Sequence, residues 1–163
     1  MQKKEAEKQA NLEIETHPFE PWLPKNARLL MLGTFPPAPK RWCMEWYYPN
    51  FQNDMWRIFG YLFFGDKMHF VDQDHKTFNV DAIKALLKEK GVAIFDTALR
   101  IRRTKNNASD KDLEIVEPSD LDNMLRSLPA CNISCRATCH GSLHQALWHK
   151  DHSQDGTIHG IHL

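Results

Sequence analysis

The chain has 163 residues, and 21 Lys and Arg balance 21 Asp and Glu for a formal net charge of zero. That length holds one ordinary domain rather than two, and 42% hydrophobic against 26% charged residues excludes a disordered chain. No apolar run reaches the length of a membrane span and no signal-peptide stretch follows Met1, so a cytoplasmic protein without membrane contact is expected. The zero balance argues against a uniformly basic nucleic-acid binder and leaves room for a local basic patch.

Residues 1–15 read as a charged N-terminal arm. Pro18, Pro21 and Pro24 then enforce an extended segment carrying Phe19 and Trp22. Ala27 to Leu32 is a nearly continuous apolar run ending at Gly33, the pattern of a strand buried on both faces. Thr34 to Pro39 follows as a rigid proline-rich loop. Asn53 to Phe64 carries Met55, Ile58, Phe59, Leu62 and Phe63 at helical spacing, with Asn53 as N-cap. Asp81 to Lys90 is a second amphipathic helix closed by Gly91, and Val92 to Phe95 a second short buried strand ending in Asp96-Thr97. Arg100, Arg102, Arg103 and Lys105 crowd what reads as a loop, and Pro118-Ser119-Asp120 opens a third helix over Leu121 to Leu128. This alternation predicts an α/β fold with parallel strands. A further strand is due after Pro129, but Asn132 to His140 reads as neither buried strand nor good helix.

Ligands of open parallel sheets bind beyond the carboxyl ends of the strands, here Gly33-Thr34-Phe35-Pro36 and Asp96-Thr97. Three blocks stand in order around those ends: Leu29 to Pro37, Tyr47 to Ile58 with its Tyr-Tyr-Pro-Asn-Phe-Gln-Asn-Asp-Met-Trp core, and Ile94 to Thr97 with its basic segment and Asn107-Ala108-Ser109-Asp110. Together they resemble the uracil-DNA glycosylase superfamily, nearest its mismatch and hypoxanthine-type branches, over roughly Thr16 to Cys131. The resemblance implies a three-layer α/β/α sandwich with a short parallel sheet. It also implies a monofunctional, monomeric enzyme that needs no cofactor or metal and hydrolyses the N-glycosidic bond of uracil or hypoxanthine in DNA.

That chemistry requires a flipped base stacked on an aromatic face, groups that read its edge, and a positioned water near a cationic sugar. Phe35 is the expected stacking ring, and Tyr47 or Tyr48 the pocket wall. Thr34 and Phe35 stand where the main branches place a water-orienting Asp or Asn. The hypoxanthine-type branch uses an asparagine before the helix tryptophan instead, which Asn53, three residues before Trp56, matches. Asp96 is the candidate base-edge or supporting group. Lys40, Arg41, Arg102, Arg103 and Lys105 are candidate phosphate contacts. Each residue also has a plainer reading: Asn53 as a helix cap, the aromatics as packing, the cations as a solvated loop.

The last 33 residues hold three of the four cysteines, six of the nine histidines and no aromatic but Trp148. Cys131, Cys135, Cys139, His140, His144 and His149 offer tetrahedral-type ligands, yet their spacing matches no usual zinc pattern and no metal site is expected. The resemblance instead implies a strand, a Gly-x-x-Ala-Thr helix start and a Pro-basic-x-Gly segment here. Codons for Trp148 to Thr157 read one base further on permit Gly-Ile-Arg-Thr-Ile-Pro-Arg-Met-Gly, and those for Arg136 to Gly141 permit Gly-x-Leu-Ala-Thr. Residues 132–163 are therefore expected to be a frameshifted tail, leaving the sandwich incomplete and the chain inactive. Two other readings stay open: a non-catalytic nucleic-acid-binding relative, and a zinc-binding interaction module built on the tail.

Overall fold

A computed structural model describes residues 13–104, residues 112–128 and the backbone of residues 132–135. Eight strands and three helices occur among them. In chain order they are β1 (Ile14–Thr16), β2 (Leu29–Gly33), α1 (Met55–Phe64), β3 (Val71–Asp72), β4 (Thr77–Phe78) and α2 (Val80–Lys90). Then come β5 (Val92–Asp96), β6 (Ala98–Arg103), β7 (Leu113–Pro118), α3 (Leu121–Ser127) and β8 (Asn132–Cys135).

The central sheet is parallel, in the order β5-β2-β8. Leu29 to Gly33 pair in register with Val92 to Asp96, and Leu29 to Leu32 with Asn132 to Cys135. All five residues of β5 are buried, as expected of a parallel strand covered on both faces. β2 buries Leu30 and Leu32 fully but Leu29 and Met31 only partly, so one of its faces is less covered than its apolar run predicts. The outer edge of β5 is closed by the proline-rich segment: Trp22 exchanges backbone hydrogen bonds with Ile94 at 3.0 and 2.9 Å. The expected α/β class is observed.

The helices follow their sequence signals. Asn79 caps α2 by accepting from the Ala82 amide, and Gly91, at φ +66°, ends it in the left-handed region that glycine enters without strain. Asp120 caps α3 through the Asn123 amide. α1 starts at Met55, with Asp54 at the cap position and the Asn53 side chain reaching one residue further in. Trp56, wholly buried on α1, stacks on Trp46 with ring centres 5.6 Å apart and donates its Nε1–H to the Tyr47 carbonyl. The outer face of α1 is also apolar and open to solvent: Ile58 is 57% exposed, Tyr61 70% and Leu62 68%.

Three expectations change. Arg100, Arg102 and Arg103 do not lie on a loop but on β6, the middle strand of an antiparallel sheet ordered β1-β6-β7. Ile101, buried between Arg100 and Arg102, gives the alternation that suits such a strand, but the density of charge hid it. Ile14 and Glu15, read as the end of the charged arm, pair with Arg102 and Ile101 in β1. Asn132 to Cys135, read as no strand, forms β8, because an edge strand is held by backbone bonds to β2 and needs little apolar side chain of its own. The rest of the arm, Lys105 and the Cys/His residues of the tail beyond Cys135 lie outside the described residues.

Candidate active site at the ends of the parallel strands

Parallel pairing places Gly33 opposite Asp96 at the carboxyl ends of β2 and β5. There the two strands pass into a tightly bonded corner. The Thr97 amide donates to the Gly33 carbonyl at 3.0 Å and the Ala98 amide to Thr34 at 3.2 Å. From the start of α3, Ser119 donates its hydroxyl to the Asp96 carbonyl at 2.7 Å. A Cβ at Gly33 would overlap Asp96 Oδ1, so glycine at this position is what admits the carboxylate against the neighbouring strand end. The same absent Cβ would sit 3.6 Å from the Tyr48 hydroxyl, which brings that phenol to the same corner.

The Asp96 side chain is buried, and its partner is His17 of the proline-rich segment. His17 Nε2 is hydrogen-bonded to Asp96 Oδ2 at 3.0 Å, and Nδ1 faces the Phe19 backbone, 2.8 Å from its carbonyl oxygen and 3.2 Å from its amide nitrogen. Four rings wall the imidazole: Phe95 at 4.7 Å between centres, Phe35 edge-on at 5.3 Å, Phe19 at 5.9 Å and Tyr47 at 6.1 Å. No described residue donates to Asp96 Oδ1. His17 was missed by sequence reasoning; its one signal is that it immediately precedes the prolines that bring the segment across the sheet.

Of the residues expected at a site, Phe35, Tyr47, Tyr48 and Asp96 converge on this corner. Phe35 is half-buried on the loop after β2, its ring nearly perpendicular to that of His17. Tyr48 adopts φ +51°, a conformation that costs a non-glycine residue energy, and packs edge-on to Trp56 at 5.8 Å. Tyr47 is 2% exposed, and its hydroxyl donates to the Glu20 carbonyl at 2.8 Å. Burial above all, then the charges of Asp96 and Glu20, pushes its phenol far above the ordinary range. It supports the wall from behind rather than presenting a polar edge.

Asn53 is used locally. Its Oδ1 accepts from the Met55 amide at 2.8 Å and its carbonyl from Arg57 at 3.1 Å, a side-chain turn one residue ahead of the cap, which is Asp54 and not Asn53 as expected. The candidate phosphate contacts divide into two kinds. On β6, Arg103 makes a two-pronged pair with Glu15 at 2.9 and 3.0 Å and also donates to the Pro36 carbonyl at 3.1 Å. Arg102 meets Glu114 at 3.3 Å. Lys40 and Arg41, on a 3₁₀ turn over Pro39–Arg41, are exposed, and no ion pair is formed by either among the described residues. Lys105 lies outside those residues. A cavity of about 500 Å³ beside the β3–β4 hairpin is lined by His69, Asp72 and Thr77 among others, and by none of the strand-end residues. No cluster of three metal-ligating side chains occurs among the described residues. No helix among them is long and apolar enough to cross a membrane.

Such a corner, at the ends of a short parallel sheet edged by a proline-rich segment, belongs to an α/β fold that a solved structure shares. One solved structure with this fold is the solution NMR structure of a "putative Uracil DNA glycosylase" from Methanosarcina acetivorans. It matches with a TM-score of 0.60 at 20% identity, over 85% of this chain and 80% of that one. At that identity the likeness establishes the fold. No family model matches the chain, and no curated protein does.

Proposed function

We propose that this chain is a DNA-glycosylase domain of base-excision repair, built to hydrolyse the N-glycosidic bond of uracil or hypoxanthine in DNA. The observation that carries the reading is the corner where Gly33 admits the Asp96 carboxylate, with the Tyr48 hydroxyl at the same strand end and Phe35 against His17 on the loop that follows, in a fold shared with a protein of that description. An aromatic ring beside a hydrogen-bonding edge is what a flipped base needs. In this reading Phe35 stacks on the base, Tyr48 limits which bases enter, and Asp96 meets the base edge. Asn53 orients the water with the part of its carboxamide not engaged by Met55. Lys40 and Arg41, unlike the paired arginines of β6, are the cations available to phosphates.

The reading includes the tail. Beyond β8, which supplies the implied strand, the residues replace the rest of the closing segment implied by the resemblance, so this chain retains base recognition and lacks part of the DNA-gripping and catalytic machinery. The exposed apolar outer face of α1 supports an incompletely covered fold. Resequencing the codons for Cys131 to Leu163 and translating all frames tests the replacement. Base release from uracil- and hypoxanthine-containing duplexes then tests the activity, with the frame-restored chain beside this one. Release by the restored chain, reduced about a hundredfold or more by Asn53→Ala, is the expected result for loss of a water-orienting group. DNA binding without release by the restored chain contradicts catalysis and identifies a non-catalytic relative.

A further inference from the structure

We propose that the outer face of α1 is a self-association surface through which two copies of this chain form a symmetric dimer. Such pairing is independent of the glycosylase reading, and it departs from the monomer that the resemblance implies. The composition of the helix is the first sign. Met55 to Phe64 reads Met-Trp-Arg-Ile-Phe-Gly-Tyr-Leu-Phe-Phe, apolar on every side, with Arg57 its one charge. That guanidinium is held against the body of the domain. It lies over the Phe51 and Phe78 rings at 4.8 and 5.2 Å and donates to the carbonyls of Phe51 and Asn53. A helix apolar all round is ordinarily a buried helix, yet α1 is buried on one side only. Trp56, Phe59 and Gly60 are buried, while Ile58, Tyr61 and Leu62 are exposed.

Ile58, Tyr61 and Leu62 stand at i, i+3 and i+4, so they form one continuous stripe. Phe63 and Phe64, also exposed, extend it at the end of the helix. Both of those rings are held in place: Lys90 Nζ lies 5.7 Å from the centre of Phe63, and His69 stacks on Phe64 at 3.6 Å. At about 200 Å² for a whole large side chain, the five leave on the order of 500 Å² of apolar surface in water. That is the upper end for one patch on a monomer. A symmetric pair doubles it to about 1,000 Å², and a polar rim brings the total to the roughly 1,200 Å² at which specific interfaces begin. The rim is present: Asp54 before α1 and Asp66 and Lys67 after it are all exposed, and they frame an uncharged centre. With acid in excess at those ends, nucleic acid is a poor occupant. A second copy fits, because a twofold axis sets an uncharged stripe of equal length against the first and buries both. Antiparallel pairing also brings Lys67 of each helix toward the Asp54 end of the other and opposes the helix dipoles. Residues 136–163 of the same chain are the competing occupant.

Sedimentation velocity of the full chain, over a wide range of concentration, separates the two. The native chain is expected to sediment with twice the mass of one chain when concentrated and to dissociate on dilution. Ile58→Glu and Leu62→Glu each place two like carboxylates, one from each copy, in the symmetric interface. Either should weaken association by about a hundredfold or more. Both positions lie on the exposed side of α1, so the variants should keep the native near-ultraviolet circular dichroism. A native dimer whose association both variants leave unchanged overturns the inference, because its contact then lies elsewhere. A native chain that stays monomeric throughout overturns it as well, and leaves the face to residues 136–163 or to a different protein. Thermal unfolding of the native chain needs no variant. Its midpoint should rise with protein concentration, as dissociation coupled to unfolding requires, and a midpoint independent of concentration contradicts the dimer.

Discussion

Asp96 and the arginines of β6 make an instructive contrast, because both are ionisable groups on strands and their partners differ in kind. Asp96 is buried with a single partner, His17, on one oxygen, and its other oxygen receives nothing from the described residues. Arg100, Arg102 and Arg103 each face an acid across the antiparallel sheet, Glu117, Glu114 and Glu15 in turn. A run of basic residues resembles a phosphate-binding loop until the topology shows its partners. A lone aspartate at a strand end looks like a cap until the register shows the glycine opposite it. The zero net charge of the chain is in part these cross-strand pairs.

The contrast yields graded expectations. Trp56→Ala should cost most, about 3–5 kcal/mol in denaturant unfolding, since a wholly buried indole with a satisfied N–H leaves both a cavity and an unpaired carbonyl. Gly33→Ala should cost about 1–3 kcal/mol, because strand end or carboxylate must shift. It should also abolish base preference, which Trp56 variants that fold retain. Arg103→Ala, whose side chain is 9% exposed, should cost about 2 kcal/mol through its charged hydrogen bonds to Glu15. Half-exposed Arg100→Ala should cost no more than about 0.5 kcal/mol. Neither arginine substitution should change the salt dependence of DNA binding. Removing Lys40 or Arg41 should lower that slope by about one unit each, and an unchanged slope would place the phosphates elsewhere.

Tyr47 gives the pH test. Burial raises its phenol pKa in the folded protein above the unfolded value, so the neutral form is favoured by folding. Its contribution to stability is full below the ordinary phenol range near about 10 and is lost as pH rises beyond it. Spectroscopic titration of the three tyrosines in the sequence should therefore show Tyr47 silent until the protein unfolds. A tyrosinate signal from Tyr47 in the folded protein at ordinary phenol pH would contradict its burial.

Much of the fold could be read from the chain, because the signals were local. Apolar runs ending at Gly33 and Asp96, the helix start at Asp120, and Gly91 all act within a few residues of themselves, while the cap Asn79 was not read. What escaped was set by pairing across distance. β6 is amphipathic only when Glu15, Glu114 and Glu117 are known to face it. β8 exists through backbone bonds to β2, and its residues announce none of this. The corner was half legible: Phe35, Tyr48 and Asp96 stood in the order that the sequence resemblance implied, while His17 lies 79 residues from its carboxylate. Asn53 is the opposite case, since a residue that resembles a catalytic position is also engaged in a local turn just before the helix.

The most direct measurement is chemical-shift mapping of the full chain against an oligonucleotide carrying one uracil, with the cytosine oligonucleotide as control. Selective movement of the backbone signals of Gly33, Thr34, Phe35, Asp96 and Thr97 with the uracil strand is the predicted result. If those signals stay fixed, or move equally with cytosine, the corner between β2 and β5 is not a site for a deaminated base.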